Sequence, residues 1–100
     1  MRRSAKVDGN QAAIVSALRK AGAHVQSLAA IGKGCPDLLV SHHGRWYVLE
    51  VKDPAKPPSA RALTADQAVW HISARAPVAV VLTAEDALAA ICVDEGDDWK

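Results

Sequence analysis

The stretch from Pro36 to Lys52 constrains the fold more than any other part of the chain. Asp37 to Ser41 is an apolar run built on Leu38, Leu39 and Val40, and Arg45 to Lys52 is a second run in which Tyr47, Leu49 and Val51 alternate with their neighbours. Only His42-His43-Gly44 separates them, which predicts a tight turn and an antiparallel β-hairpin. Strand side chains alternate faces, so Glu50 and Lys52 point the same way, roughly 6–7 Å apart. The hairpin also returns Asp37, at the outer end of the first strand, to their neighbourhood. Two carboxylates and one ammonium then converge on one patch, the minimum equipment for metal-assisted cleavage of a phosphodiester.

The flanking sequence supplies elements to hold this hairpin. From Asn10, Ile14, Leu18 and Ala21 recur at helical spacing; Asn10 or Asp8 caps the start and Gly22 is placed as the C′ terminator. His24 to Ala29 reads as extended, and Gly32-Lys33-Gly34-Cys35-Pro36 as a loop. Asp53 to Ala62, with Pro54, Pro57 and Pro58, also reads as a loop. Thr64-Ala65-Asp66-Gln67 matches a capping box opening a helix to about Ala74. Val78 to Leu82 is an unbroken apolar run, predicted as an interior strand, and Thr83-Ala84-Glu85-Asp86 caps a last helix reaching about Ile91. The predicted order is α-β-β-β-α-β-α, an α/β fold with a mixed sheet flanked by helices. Residues 1–9 form a basic arm, 10–92 the domain and 93–100 an acidic tail that is expected to fray, though its Trp99 could dock.

Composition bounds the function without choosing it. One hundred residues, half of them apolar, suit a single folded domain rather than a disordered chain. Phe is absent, so aliphatic side chains must supply a thin core, which favours dimerisation. The net charge of +1 conceals a split: Arg2, Arg3, Lys6, Lys52, Lys56 and Arg61 are offset by Asp94, Glu95, Asp97 and Asp98. A basic region beside the hairpin suits a polyanion; scattered solvated charge is the competing reading. Cys35 and Cys92 match no metal spacing and define no disulfide framework. No leader-like or membrane-spanning apolar run is read, and a reducing cytoplasm is the expected setting.

Asp37 and Glu50 are hard oxygen ligands of the kind Mg²⁺ or Mn²⁺ takes, with the Val51 carbonyl as a further ligand. Lys52 would set a positive charge beside the attacked phosphate. The plainer alternative makes Glu50 and Lys52 an exposed ion pair and Asp37 a loop-end acceptor. Lys33, just before Asp37, and Arg61 are each read either as a phosphate contact or as solvated, and Lys56 belongs to the same basic group. His24, His42, His43 and His71 form no convincing ligand set, and His42-His43 reads as a solvated turn. Trp70 is expected in the core, Trp46 on the sheet or at a dimer seam, and Cys35 as a small residue in a tight loop.

Three segments carry a family resemblance: Gly34-Cys35-Pro36-Asp37-Leu38-Leu39-Val40, Tyr47-Val48-Leu49-Glu50-Val51-Lys52 and Leu63-Thr64-Ala65-Asp66-Gln67. The chain resembles the PD-(D/E)xK nuclease superfamily, with its restriction-endonuclease-like core, and more narrowly the compact VRR-NUC domains of phages and prophages. The likeness spans about Asn10 to Leu88. It implies a Mg²⁺- or Mn²⁺-dependent endonuclease in which Asp37 and Glu50 bind metal, Lys52 is catalytic and Gln67 lies at the edge of the site. It further implies a homodimer acting on branched, junction or flap DNA in a bacterial cytoplasm. One departure stands out: relatives often carry an acidic residue on the first helix, where this chain has Asn10 and Gln11, and Asp8 is the nearest substitute. A DNA-binding module that keeps the nuclease fold without cleaving is the alternative. A structural subunit of a phage replication or packaging assembly is a third reading.

Overall fold

A computed structural model describes residues 8–92, which fold as α/β around one four-stranded mixed sheet. The expected basic arm is therefore described only at Asp8 and Gly9, and the acidic tail with Trp99 lies outside the described residues. Helix α1 (Gln11–Lys20) ends in a Schellman turn: Gly22, at φ +96°, donates to the Arg19 carbonyl, and Ala23 N–H reaches back to Leu18. Strands β1 (His24–Ser27), β2 (Leu38–His42) and β3 (Arg45–Val51) follow as an antiparallel meander. The β2–β3 turn is His43-Gly44, both at positive φ (+49° and +80°), the backbone that a two-residue hairpin with right-handed twist needs.

After β3 the chain forms a short helix α2 (Pro58–Arg61), then α3 (Ala65–Ala74), and returns as β4 (Ala79–Val81), parallel to β3. Helix α4 (Ala84–Cys92) completes the order, with Thr83 Oγ1 accepting from the Asp86 N–H at its start. The sheet order is β1-β2-β3-β4. Helices α1 and α4 pack on one face, where Ile14, Leu18, Ala87 and Ile91 meet Val25, Leu38, Val40, Leu49, Val51 and Val81. Alternation along β3 consequently sends Glu50 to the opposite face, beneath α3.

The structure corrects several expectations. Asp53 to Ala62 is not wholly loop, because Pro58 enters at the first helical position with its φ already set and its missing N–H of no consequence. The Val78–Leu82 run is an edge strand, not an interior one: among the described residues β4 pairs with β3 alone, and Val80 is 44 % exposed. Asn10 occupies the N-cap position of α1 without a side-chain cap bond; its amide instead donates to the carbonyls of Lys52 (3.0 Å) and Leu82 (2.7 Å). His42 is buried, not a solvated turn residue, since it shares the core-facing side of β2 with Leu38 and Val40, and its Nε2 sits 3.3 Å from the Ala21 carbonyl. Trp70 is only partly buried, because α3 buries no residue fully, and Trp46 stands 67 % exposed rather than packed on the sheet.

Candidate active site

The hairpin register puts Asp37, Glu50 and Lys52 together. Leu38 pairs with Leu49, and one step beyond it the Asp37 N–H donates to the Leu49 carbonyl at 3.1 Å. Asp37 Oδ2 then accepts from the Val51 N–H at 2.7 Å, which fixes the carboxylate across the strand. Val51's side chain is buried on the core face, so any contribution from this residue to the site comes from its backbone. Glu50 and Lys52 are 1 % and 7 % exposed, which removes the reading of a solvated surface pair.

Gln67 closes the site from above. The capping box forms as predicted: Thr64 Oγ1 accepts from Gln67 N–H, and Gln67 Oε1 accepts from Thr64 N–H at 2.9 Å. The same amide serves the sheet, accepting from Lys52 Nζ at 2.8 Å and donating from Nε2 to Glu50 Oε2 at 3.0 Å. Gly34 makes this possible. At φ +81° it lies so close to the first turn of α3 that an added Cβ would fall onto the Asp66 carbonyl and within 2.9 Å of the Gln67 nitrogen. A glycine at this point lets the loop carrying Lys33 and Asp37 press against the helix carrying Gln67.

Charge is concentrated here. Burial, then the hydrogen bond and negative charge of Asp37, push the Glu50 carboxyl up to about 8; Lys52 opposes the rise and Asp8 adds to it. Glu50 therefore holds a proton at neutral pH, as expected of two carboxyls forced together out of water. Cys35 feels the same field: burial, then Glu50 and Asp37, push its thiol up, which keeps it neutral and small beside them. Asp8 lies within electrostatic reach of Glu50, in the place the sequence offered for a missing first-helix carboxylate, but its Oδ1 is bound to Lys56 Nζ at 3.0 Å.

The basic residues divide. Lys56 is spent in part on Asp8, and its ammonium is pushed up first by that bond. Lys33 is exposed on the loop before Asp37, in a left-handed conformation (φ +55°) that turns the chain toward α3. Arg61 is half-buried on α2, and among the described residues no contact ties it to the carboxylates. Sequence reasoning missed His71, whose Nε2 lies 3.7 Å from Glu50 Oε1. The available signal was its position one helical turn beyond Gln67.

The residues fit a hard divalent cation. Two carboxylates share a proton where a cation could sit, and Glu50 Oε1 is buried without a hydrogen-bond partner. Among the described residues no group of three or more His, Cys, Asp or Glu side chains is placed to hold a metal ion, so at most two side chains would bind one, with water and phosphate in the remaining positions. No helix among the described residues is long and apolar enough to cross a membrane. No family model, no curated protein and no solved structure matches this chain.

Proposed function

We propose that this chain is a metal-dependent DNA endonuclease with a restriction-endonuclease-like arrangement of its α/β core. One observation carries the reading: Asp37, Glu50, Lys52 and Gln67 form a single hydrogen-bonded cluster in which Glu50 and Lys52 are buried and the Glu50 carboxyl is pushed up by burial and by Asp37. A binding module has no use for buried acidic groups where a phosphate must rest. Glu50 Oε1 makes no hydrogen bond of its own and meets only His71 Nε2, at 3.7 Å, which leaves it open to a further partner.

Asp37 and Glu50 would hold Mg²⁺ or Mn²⁺, and the bound ion would polarise the phosphate and acidify a water. The chain's own residues do the rest. Gln67 aims the Lys52 ammonium by accepting one of its protons, and Lys52 Nζ stabilises negative charge as it grows on the attacked phosphate. The Val51 N–H holds Asp37 in place through Oδ2. Lys33, exposed on the loop before Asp37, would meet the DNA backbone. So small a surface favours recognition of shape over base sequence, and branched DNA cut by a homodimer is the substrate and assembly this reading takes.

Cleavage of labelled four-way junction, flap and linear duplex, with Mg²⁺ or Mn²⁺, tests it. Wild type is expected to cut a branched substrate only with metal, and Lys52→Ala to bind the same DNA without cutting. Salt-sensitive binding by folded wild type, with no cutting under either metal, would replace the enzyme by a binding module.

A further inference from the structure

Glu50 presents two oxygens to α3, and the helix answers each with a different side chain. Gln67 Nε2 donates to Oε2. One turn later His71 places Nε2 3.7 Å from Oε1, too far for a hydrogen bond. Both facing atoms, Glu50 Oε1 and His71 Nε2, are buried and without a hydrogen bond, and the 3.7 Å between them makes at most a loose ion pair. Buried polar atoms are almost always hydrogen-bonded, and a facing pair left short of partners has room for a water or an ion between them. Two ligands of one ion, each about 2.1 Å from it, stand about 3.0 Å apart at a right angle and about 4.2 Å apart in line. The observed gap falls within that range. The Trp70 ring stands edge-on to the His71 ring, with 6.4 Å between centroids and 78° between planes.

We propose that His71 is a metal ligand of this site, its Nε2 and Glu50 Oε1 taking one divalent transition-metal ion between them. The inference rests on the metal-dependent reading above and sharpens it. Imidazole nitrogen suits first-row transition metals such as Fe²⁺, Ni²⁺ and Zn²⁺ better than Mg²⁺, so the ligand pair tilts the site from Mg²⁺ toward transition-metal ions, of which Mn²⁺ binds most weakly and gives a paramagnetic readout. Placing the nitrogen on α3 also makes that helix part of the metal site.

The test is MnCl₂ titration of the full chain followed by pulsed electron paramagnetic resonance. The proteins are wild type, His71→Leu and Glu50→Gln, with wild type also grown on histidine labelled with the heavy nitrogen isotope. Mn²⁺ bound to wild type is expected to show an imidazole nitrogen coupling that changes isotope with the labelled histidine. His71→Leu should lose the coupling and weaken Mn²⁺ binding at least about tenfold while Mg²⁺ binding moves little. The labelled wild type gives its answer even if the leucine variant folds poorly. Binding that needs Glu50 but shows no histidine coupling would overturn the ligand role and leave the metal-dependent enzyme standing. Absence of Glu50-dependent binding of either Mn²⁺ or Mg²⁺ would overturn both.

Discussion

Gln67 makes three side-chain hydrogen bonds with one amide: two to its oxygen, from Lys52 and from the Thr64 backbone, and one from its nitrogen to Glu50. Its helix-capping and site roles can be separated experimentally. Thr64→Ala removes the hydroxyl of the cap and is expected to cost about 1 kcal/mol in urea unfolding, with the Lys52 and Glu50 contacts intact. Gln67→Ala loses its half of the box and also leaves Lys52 Nζ and Glu50 Oε2 short of partners, about 1–3 kcal/mol more. Cleavage rates should separate the two variants further, with Gln67→Ala about 10–100-fold below Thr64→Ala, the range typical of residues that orient metal-site groups. Equal rates would reduce Gln67 to a cap. Asp37, Glu50, Lys52 and Gln67 were legible because each is fixed by local periodicity: alternation along a strand, or the N-cap-to-N3 spacing of a helix. For His71 the spacing of one helical turn from Gln67 gives only the shared face of α3; whether that face reaches Glu50 depends on the angle at which α3 crosses the sheet. Asn10 failed for the same reason: its amide prefers two carbonyls 42 and 72 residues away to the helix it begins.

At the scale of elements, α3 is the exception. Helices α1 and α4 each bury apolar side chains in the core, whereas α3 buries none fully and leaves Val69 and Ile72 63 % and 76 % exposed. Its described ties to the sheet run through Gln67 and His71, with the Gly34 loop pressed against its first turn. Gly34→Ala is therefore expected to act on the site from outside it. The new methyl would meet backbone at Asp66 and Gln67, at a φ that side chains rarely adopt, and α3 would have to move. A loss of about 1–3 kcal/mol in urea unfolding is expected. Faster hydrogen exchange at the Gln67 and Ala68 amides, with Leu18 and Ala21 in and beside α1 unaffected, would locate the damage. Uniform exchange would argue instead for global loosening. The hairpin, α1 and α3 were legible because turn, cap and period agree in each. The edge position of β4 was not, because an apolar run has the same composition whether one or two neighbours pair with it. The same holds for α2, where prolines that end one element also begin another.

At the scale of the whole molecule, eleven buried apolar residues form the described core, none of them aromatic, so charges at the site weigh heavily on stability. The effect on pH dependence follows from Glu50. In the folded protein its carboxyl is raised from 4.5 to about 8, whereas the unfolded chain ionises it near the ordinary value. Between those limits the folded state binds the extra proton, so stability falls as pH rises. The contribution is complete below about 4.5 and lost as pH passes about 8. Urea unfolding of the metal-free protein from pH 5 to pH 9 should show this decline, and Glu50→Gln, which keeps a neutral side chain there, should flatten it. A divalent cation is expected to replace the proton. At pH 8.5 and roughly a hundredfold excess over Kd, Mn²⁺ should add about 2.7 kcal/mol and raise Tm by about 10–20 °C in a chain of this size. Glu50→Gln should gain almost nothing. A wild type whose stability is flat with pH and unmoved by Mn²⁺ would mean that the buried carboxyl pair holds neither the proton nor the ion, and the case for a metal-dependent nuclease would fall with it.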